Sequence, residues 1–444
     1  MTRASRRNRS PIVRILSPLR DFLATEASGA VLLTGGAIIA LVWANSPWSA
    51  SYEDLWSSRL AVSVAGNTLD LDLRHWINDG LMTVFFLVVG LEIKRELATG
   101  HLATRRTALL PGAAALGGML VPALVYLAIA GSTAPRGWAI PMATDIALAI
   151  GVLAVAGNRI PASLRAFLLG LAIVDDIGAI VIIAAVYSTG VVFGWLVAAA
   201  LGIVVTVAVR RLRLHSTWVY VVIGSVVWFA LYEAGIHPTI AGVAMGLLAP
   251  TTPRIQPELI DSDELIDLSD AEAAHATSEL AKGSVSVVEW LQHVLHPWTS
   301  YVIVPIFALA NSGIAISADG LRDAARSPIT WGVFLGLLVG KPLGVVLATG
   351  GAVRAGLADY PEGSAPHQIA GIGAAAGIGF TVALFITELA LTDPVDQSNA
   401  KLAILVASVL SAVASAAILT TRPRRRADDT PDHRPQPTPV PHSD

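Results

Sequence analysis

Two adjacent carboxylates, Asp175 and Asp176, stand in the middle of the apolar run Leu169-Gly-Leu-Ala-Ile-Val-Asp-Asp-Ile-Gly-Ala-Ile-Val-Ile-Ile-Ala184. On insertion scales a charged Asp at the centre of a membrane helix costs about 2.5–3.5 kcal/mol, so a pair costs about 5–7 kcal/mol. A helix that only anchored the chain would shed both. What such a pair can do among apolar side chains is take up protons or a hard cation, whose preferred ligands are oxygens. The competing reading is a buried pair held in place by capping or packing. Few other ionisable residues share this setting: Asp145 in Trp138-Ala-Ile-Pro-Met-Ala-Thr-Asp-Ile-Ala147, Lys341 in Leu337-Leu-Val-Gly-Lys-Pro-Leu-Gly344, and Asp79 and Glu92 in a preceding apolar stretch. The acids at 145, 175 and 176 and the single lysine could neutralise one another at a shared centre.

Two of the apolar stretches are interrupted. Pro141 stands just before Thr144 and Asp145, and Gly371-Ile-Gly-Ala-Ala-Ala-Gly-Ile-Gly-Phe-Thr381 brings Gly377 and Gly379 into another. Non-helical backbone inside a bilayer survives only when buried in protein or lining a wet cavity. Half-helix N-termini are electropositive and C-termini electronegative, so Asp145 could offset the former and Lys341 the latter. The alternative for the glycines is close helix packing of the small-xxx-small kind.

The elements that must position these residues are membrane spans. Of 444 residues, 54% are hydrophobic and 14% charged, and mean hydropathy is +0.63. That composition is of a polytopic membrane protein. Cysteine is absent, which excludes disulfides and thiolate metal sites. The reading is all-α, with about twelve transmembrane helices near 28–45, 75–98, 107–130, 138–156, 163–187, 190–209, 217–233, 237–250, 298–316, 328–351, 367–390 and 400–420. Three regions follow: an N-terminal tail over 1–27 with an amphipathic surface helix from about 17, a membrane domain over 28–421, and a disordered, Arg- and Pro-rich tail over 422–444. The first span is read as retained rather than cleaved.

Orientation follows from Lys and Arg. With the N-terminus inside, 23 of them fall on internal segments and 6 on external loops, a strong positive-inside bias that makes both tails cytoplasmic. Between the first two spans, Arg59-Leu-Ala-Val-Ser-Val-Ala-Gly-Asn-Thr-Leu-Asp-Leu-Asp-Leu73 alternates about Gly66-Asn67 and predicts an external β-hairpin. Its edge could pair two copies into a homodimer, or it could stand alone. The connection over 251–295 opens acidic and is read as mobile or partly helical.

Taken together, Ile77-Asn-Asp-Gly-Leu-Met-Thr-Val-Phe-Phe-Leu-Val-Val-Gly-Leu-Glu-Ile-Lys-Arg-Glu96, Ala143-Thr-Asp-Ile-Ala147, Ile173-Val-Asp-Asp-Ile-Gly-Ala179, His293-Val-Leu-His-Pro-Trp298, Phe307-Ala-Leu-Ala-Asn311, Gly340-Lys-Pro-Leu-Gly344 and Gly377-Ile-Gly-Phe-Thr381 resemble the NhaA-type sodium/proton antiporters, in order, from about residue 27 to 420. That family is built from inverted repeats with broken helices and a midplane site. The resemblance implies that the third to fifth and tenth to twelfth spans are the repeats, with the fourth and eleventh crossing as broken helices. It implies that Asp176 is the essential ion-binding carboxylate and that Asp175 is its neighbour, able to pair with Lys341. Thr144 and Asp145 are then broken-helix residues near the ion. It also implies a cytoplasmic cluster for pH response in Glu92, Arg95, Glu96, His293 and His296. His237 matches a histidine implicated in pH dependence, although a lone His also serves local hydrogen bonding, and Asp79 matches a structural acid. One departure is Gln292, where many members of the family carry Glu; it bears on the pH threshold.

The implied activity is electrogenic exchange of sodium or lithium for protons at the bacterial inner membrane, two protons per sodium, by a secondary transporter rather than an enzyme. Its expected partners are the transported ions and the lipid bilayer, with no cofactor and no nucleic acid. Other classes fit the residues less well. An intramembrane aspartyl protease places its two acids on different helices, usually with Gly-x-Gly-Asp. An isoprenoid transferase needs Asp-Asp-x-x-Asp, whereas Ile177, Gly178 and Ala179 follow Asp176. A passive channel has no use for a buried lysine competing with the ion.

Overall fold

Long apolar helices make up most of the chain because lipid leaves backbone N–H and C=O groups no partner but each other. The computed structural model describes residues 26–64, 67–100, 102–157, 160–188, 190–212, 217–251 and 286–421. Most of the expected surface helix at 17–27, the hairpin-tip Gly66, nearly all of the acidic connection and the 422–444 tail lie outside these residues.

Helix α1 (Glu26–Ala44) is followed, at a 118° bend, by α2 (Ser49–Trp56). Strands β1 (Arg59–Val64) and β2 (Asn67–Asp72) form the expected antiparallel hairpin, with Arg59 opposite Asp72 and Val64 opposite Asn67. The chain continues through α3 (Leu73–Ala98), α4 (Arg105–Ala130), a 3₁₀ segment (Pro135–Met142), α5 (Ile146–Ala156), α6 (Ala162–Val186), α7 (Phe193–Arg211), α8 (Thr217–Glu233) and α9 (Thr239–Leu248). After residue 285 come α10 (Val287–Asn311), α11 (Ala318–Arg326), α12 (Pro328–Arg354), α13 (Pro366–Ala376), α14 (Phe380–Ala390) and α15 (Pro394–Thr420). Among the described residues eight helical spans are long and apolar enough to cross a membrane, ten if each of two bent helix pairs counts as one. Two shorter apolar helices, α8 and α9, accompany them.

Two expectations need correction. The ninth span, placed at 298–316, lies in a helix that already begins at Val287, where Ser286 and Glu289 form a capping box. His293 and His296 are therefore helical. The first part of the expected fourth span, Pro135–Met142, is 3₁₀ rather than α, and Pro141 within it has no N–H to give.

π-turns interrupt α3 at Trp76–Leu81, α10 at Thr299–Ile303 and α12 at Gly336–Gly340. Pro305 and Pro342, two residues past the latter two, each withhold an N–H from the helical ladder. Asp79 lies inside the first π-turn and Lys341 directly follows the third, so two of the singled-out residues sit where helical regularity lapses.

The apolar interior falls into two main clusters, and the polar residues lie on the seam. Along α6, Leu164 to Leu171 belong to one cluster and Ala179 and Ile183 to the other, with Asp175 and Asp176 between. Along α12 the clusters hold Ile329 to Leu337 and Val345 to Ala352, with Lys341 between. The break from α13 to α14 separates them likewise, at Ala376 and Phe380. Chains from several helices thus place their polar residues at one depth.

Candidate ion-exchange site

Two non-helical stretches meet, one after Pro141 and one at Gly377 to Gly379. Ala143 to Asp145 are non-helical between the 3₁₀ segment and α5, while Gly377 to Gly379 separate α13 from α14 at a 46° bend. The Asp145 N–H donates to Ile378 O at 2.6 Å. A Cβ on Gly379 would sit 3.0 Å from Ala143 O, so close approach, not an unusual φ, is what requires glycine there. Helical structure lapses at these glycines where two segments of backbone touch.

Asp145 serves this crossing. Its Oδ1 accepts from Leu148 N at 3.0 Å, capping α5. Its Oδ2 accepts from Thr381 N at 3.0 Å and Thr381 Oγ1 at 2.7 Å, capping α14. One carboxylate therefore neutralises the positive ends of two half-helices. In the sequence Thr381 stands out only as part of a motif; its position at the start of a half-helix is the signal of its role.

Lys341 comes from α12, brought close by Gly117 of α4 and Gly344 of α12, whose backbones touch where any side chain would intervene. It is fully buried, its Nζ lies 2.6 Å from Asp175 Oδ2, and it also donates to Met142 O. Thr144 Oγ1 lies 2.7 Å from the same Asp175 oxygen and 3.0 Å from Ala376 O. Asp175 Oδ1, also buried, receives no hydrogen bond among the described residues.

Asp176 differs from its neighbour. It is buried, with 6% of its surface exposed, and no hydrogen bond or ion pair from a described residue reaches its carboxylate. The like charges acting on it are Asp175, Glu92 and Asp145, and the opposing one is Lys341. A buried carboxylate in that company is stable only if a proton or a cation joins it. Two acids, the Thr144 hydroxyl and carbonyls freed by the breaks suit a hard monovalent cation. Among the described residues no three His, Cys, Asp or Glu side chains form a metal-binding group.

This chemistry has named counterparts. The chain matches the family model for "Na+/H+ antiporter 1" over residues 20–419. The Na(+)/H(+) antiporter NhaA 2 of Myxococcus xanthus is 46% identical over 411 residues, covering 89% of this chain and 87% of the relative. The Na(+)/H(+) antiporter NhaA of Oleidesulfovibrio alaskensis is 43% identical over 419 residues, covering 90% and 93%. The NhaA 2 of Sorangium cellulosum is 44% identical over 426 residues, covering 92% and 91%. The chain belongs to the Na+/H+ antiporter 1 family. It is accordingly a transporter, with multiple apolar helices.

The remaining residues singled out in this family member divide in two. Glu92, Arg95 and Glu96 lie on α3, which packs against the start of α10 through Leu91, Val288 and Leu295. Glu96 is buried, whereas His293 and His296 are exposed, and His296 Nδ1 lies 3.3 Å from Ser300 Oγ. Gln292 is buried with its Oε1 free of hydrogen bonds among the described residues. His237 does not join that group. It sits just before α9, with Nδ1 3.9 Å from Asp79 Oδ1 and its ring 5.5 Å from that of Phe385. Next to Asp79, the amides of Asn78 and Asn311 bond reciprocally at 2.9 and 3.3 Å, a clasp that the sequence offered no pattern to reveal.

Proposed function

We propose that the chain extrudes sodium, and accepts lithium, in exchange for protons across a bacterial cytoplasmic membrane. One observation carries this reading: a buried carboxylate, Asp176, with no hydrogen-bond donor among the described residues, beside a second, Asp175, already held by Lys341 and Thr144. Sodium entering at Asp176 competes with Lys341 for Asp175, and the protons bound to this set of groups leave. Cation and protons then need no separate sites. The loaded centre passes to the other face by rocking of the crossed half-helices, which Asp145 and Thr381 keep together.

Two protons against one sodium moves one net charge, worth about 2.3 kcal/mol per 100 mV, enough for an inside-negative membrane to drive sodium outward. Counting α8 and α9 gives twelve crossings, both termini cytoplasmic, with the inverted repeats in α4 to α6 and in α12 to α15. Glu92, Arg95, Glu96, His293 and His296 tune the response to pH, and Gln292 shifts its threshold. The hairpin, exposing Leu60 and Val62, pairs two copies.

The test is calorimetry on the purified protein together with sodium-driven proton flux in proteoliposomes. Sodium binding must release protons, and added sodium must collapse a preformed proton gradient. Sodium uptake with no proton release at any pH would end the reading.

A further inference from the structure

A stripe on α14 leads away from the central site. Thr381, Phe385 and Glu388 are spaced by four and three residues and so share one helical face. Thr381 holds Asp145. Phe385, a turn on, is fully buried, with the rings of Phe86, His237 and Phe307 at 5.4, 5.5 and 6.4 Å. Glu388 follows roughly 10 Å along the axis from Thr381, at 1.5 Å per residue. Its Oε1 lies 2.5 Å from Lys401 Nζ of α15, and the two side chains are only 19% and 12% exposed. Glu388 also lies within electrostatic reach of Tyr52 on α2 and Arg74 at the start of α3.

An ion pair with so little solvent is an expensive way to join two helices, since apolar side chains of similar size hold them as well or better. Its layout repeats that of the central pair: a carboxylate on one helix, an ammonium on another, in direct contact. One pair lies on the seam between the apolar clusters, and the other lies beyond Phe385, at the end of α14 that the lysine and arginine distribution makes external.

We propose that Glu388 is the outer docking carboxylate for the transported monovalent cation, and that Lys401 displaces the cation from it. An ion that has passed Phe385 exchanges with the ammonium at Glu388, and the return of Lys401 expels it to the outside. Without the lysine, a poorly solvated carboxylate would retain the ion; without the carboxylate, the ion would leave the centre facing apolar walls. This inference rests on the exchange reading above.

The experiment uses the full chain in liposomes of determined orientation, with sodium added to one face at a time and proton flux read by a dye. Glu388→Gln should raise the half-saturating sodium concentration at the external face about tenfold, the scale of one unit charge acting over about 3 Å in water. The cytoplasmic-face value should stay unchanged. Lys401→Met should lower the external value and slow turnover, and Glu388→Asp should restore most of the original behaviour. An unchanged external value in Glu388→Gln, or an equal shift at both faces, would overturn the proposal. If that variant does not insert, Lys401→Met decides alone, and an unchanged external value again overturns it. Absence of sodium-driven flux in the unsubstituted chain would instead sink the exchange reading, and this inference with it.

Discussion

Two corners of the molecule bury an acid beside a basic side chain next to a π-turn, yet they are bonded in opposite ways. At the crossing, the partners of Asp175 bond its carboxylate: Lys341 at 2.6 Å and Thr144 at 2.7 Å. At the other corner, the partners of Asp79 bond its backbone: Trp228 Nε1 donates to Asp79 O at 2.9 Å and Thr83 Oγ1 to the same oxygen at 2.5 Å. Its carboxylate meets His237 only at 3.9 Å, and His237 Nδ1 has no hydrogen bond among the described residues. Bonds to a carbonyl fix the shape of a π-turn whatever the charge of the side chain. Bonds to a carboxylate depend on that charge, and a cation or proton can alter them. Burial of an acid therefore does not by itself mark an exchange site; what its neighbours hold does.

The same substitution in both corners tests this most severely. Asp176→Asn should reduce sodium-driven proton flux at least about 100-fold, more than about 2.7 kcal/mol of lost stabilisation, while Asp79→Asn should retain most of it. Equal loss in both, in protein that inserts normally, would erase the distinction.

Stability comes next. Lys341→Met leaves Asp175 without its counter-ion and should cost about 3–5 kcal/mol, read as a fall in Tm in detergent that is largest at alkaline pH, where Asp175 cannot regain a proton. His237→Gln should cost under about 1 kcal/mol, since no close bond is broken. A smaller contrast separates two threonines. Thr381→Val leaves Asp145 short of a donor and should cost about 1–3 kcal/mol, whereas after Thr83→Val the Asp79 carbonyl keeps Trp228 and the cost should be about 0.5–1.5 kcal/mol.

A comparably small effect lies outside both corners, where the hairpin enters α3. Burial pushes the Asp72 carboxyl up, but hydrogen bonds from the His75 backbone and ring outweigh it and hold the group below its ordinary value. Its stabilising contribution is thus present above the unfolded-state value and lost as pH falls through the lower folded one. Asp72→Ala should cost about 1 kcal/mol at neutral pH, and the difference in Tm from the unsubstituted protein should vanish in acid.

Much of this was legible in advance because lipid restricts what a chain can do. The cost of a charge among apolar residues singled out Asp175, Asp176, Asp145 and Lys341, and Pro141 and the glycine-rich stretch marked both interruptions. Alternation about Gly66-Asn67 gave the hairpin. Helix ends were less legible: the start of α10 depended on a capping box at Ser286 and Glu289, which moved His293 and His296 onto a helix. The neighbours of His237 were not legible, since nothing in its local sequence tells that it meets Asp79, 158 positions away in the chain.

By itself, then, the sequence determined that membrane helices exist, where they are interrupted, and which few side chains are too costly to be there without a task, because hydropathy and charge are local properties that the bilayer reads one segment at a time. Only the tertiary structure decided that Asp145 caps two helices at once and which atoms hold Asp175, whose pairing with Lys341 the residues themselves left open and only the family resemblance implied. Those are matters of a few ångströms between residues up to 236 positions apart, set by where glycines let helices touch, and no local pattern encodes them.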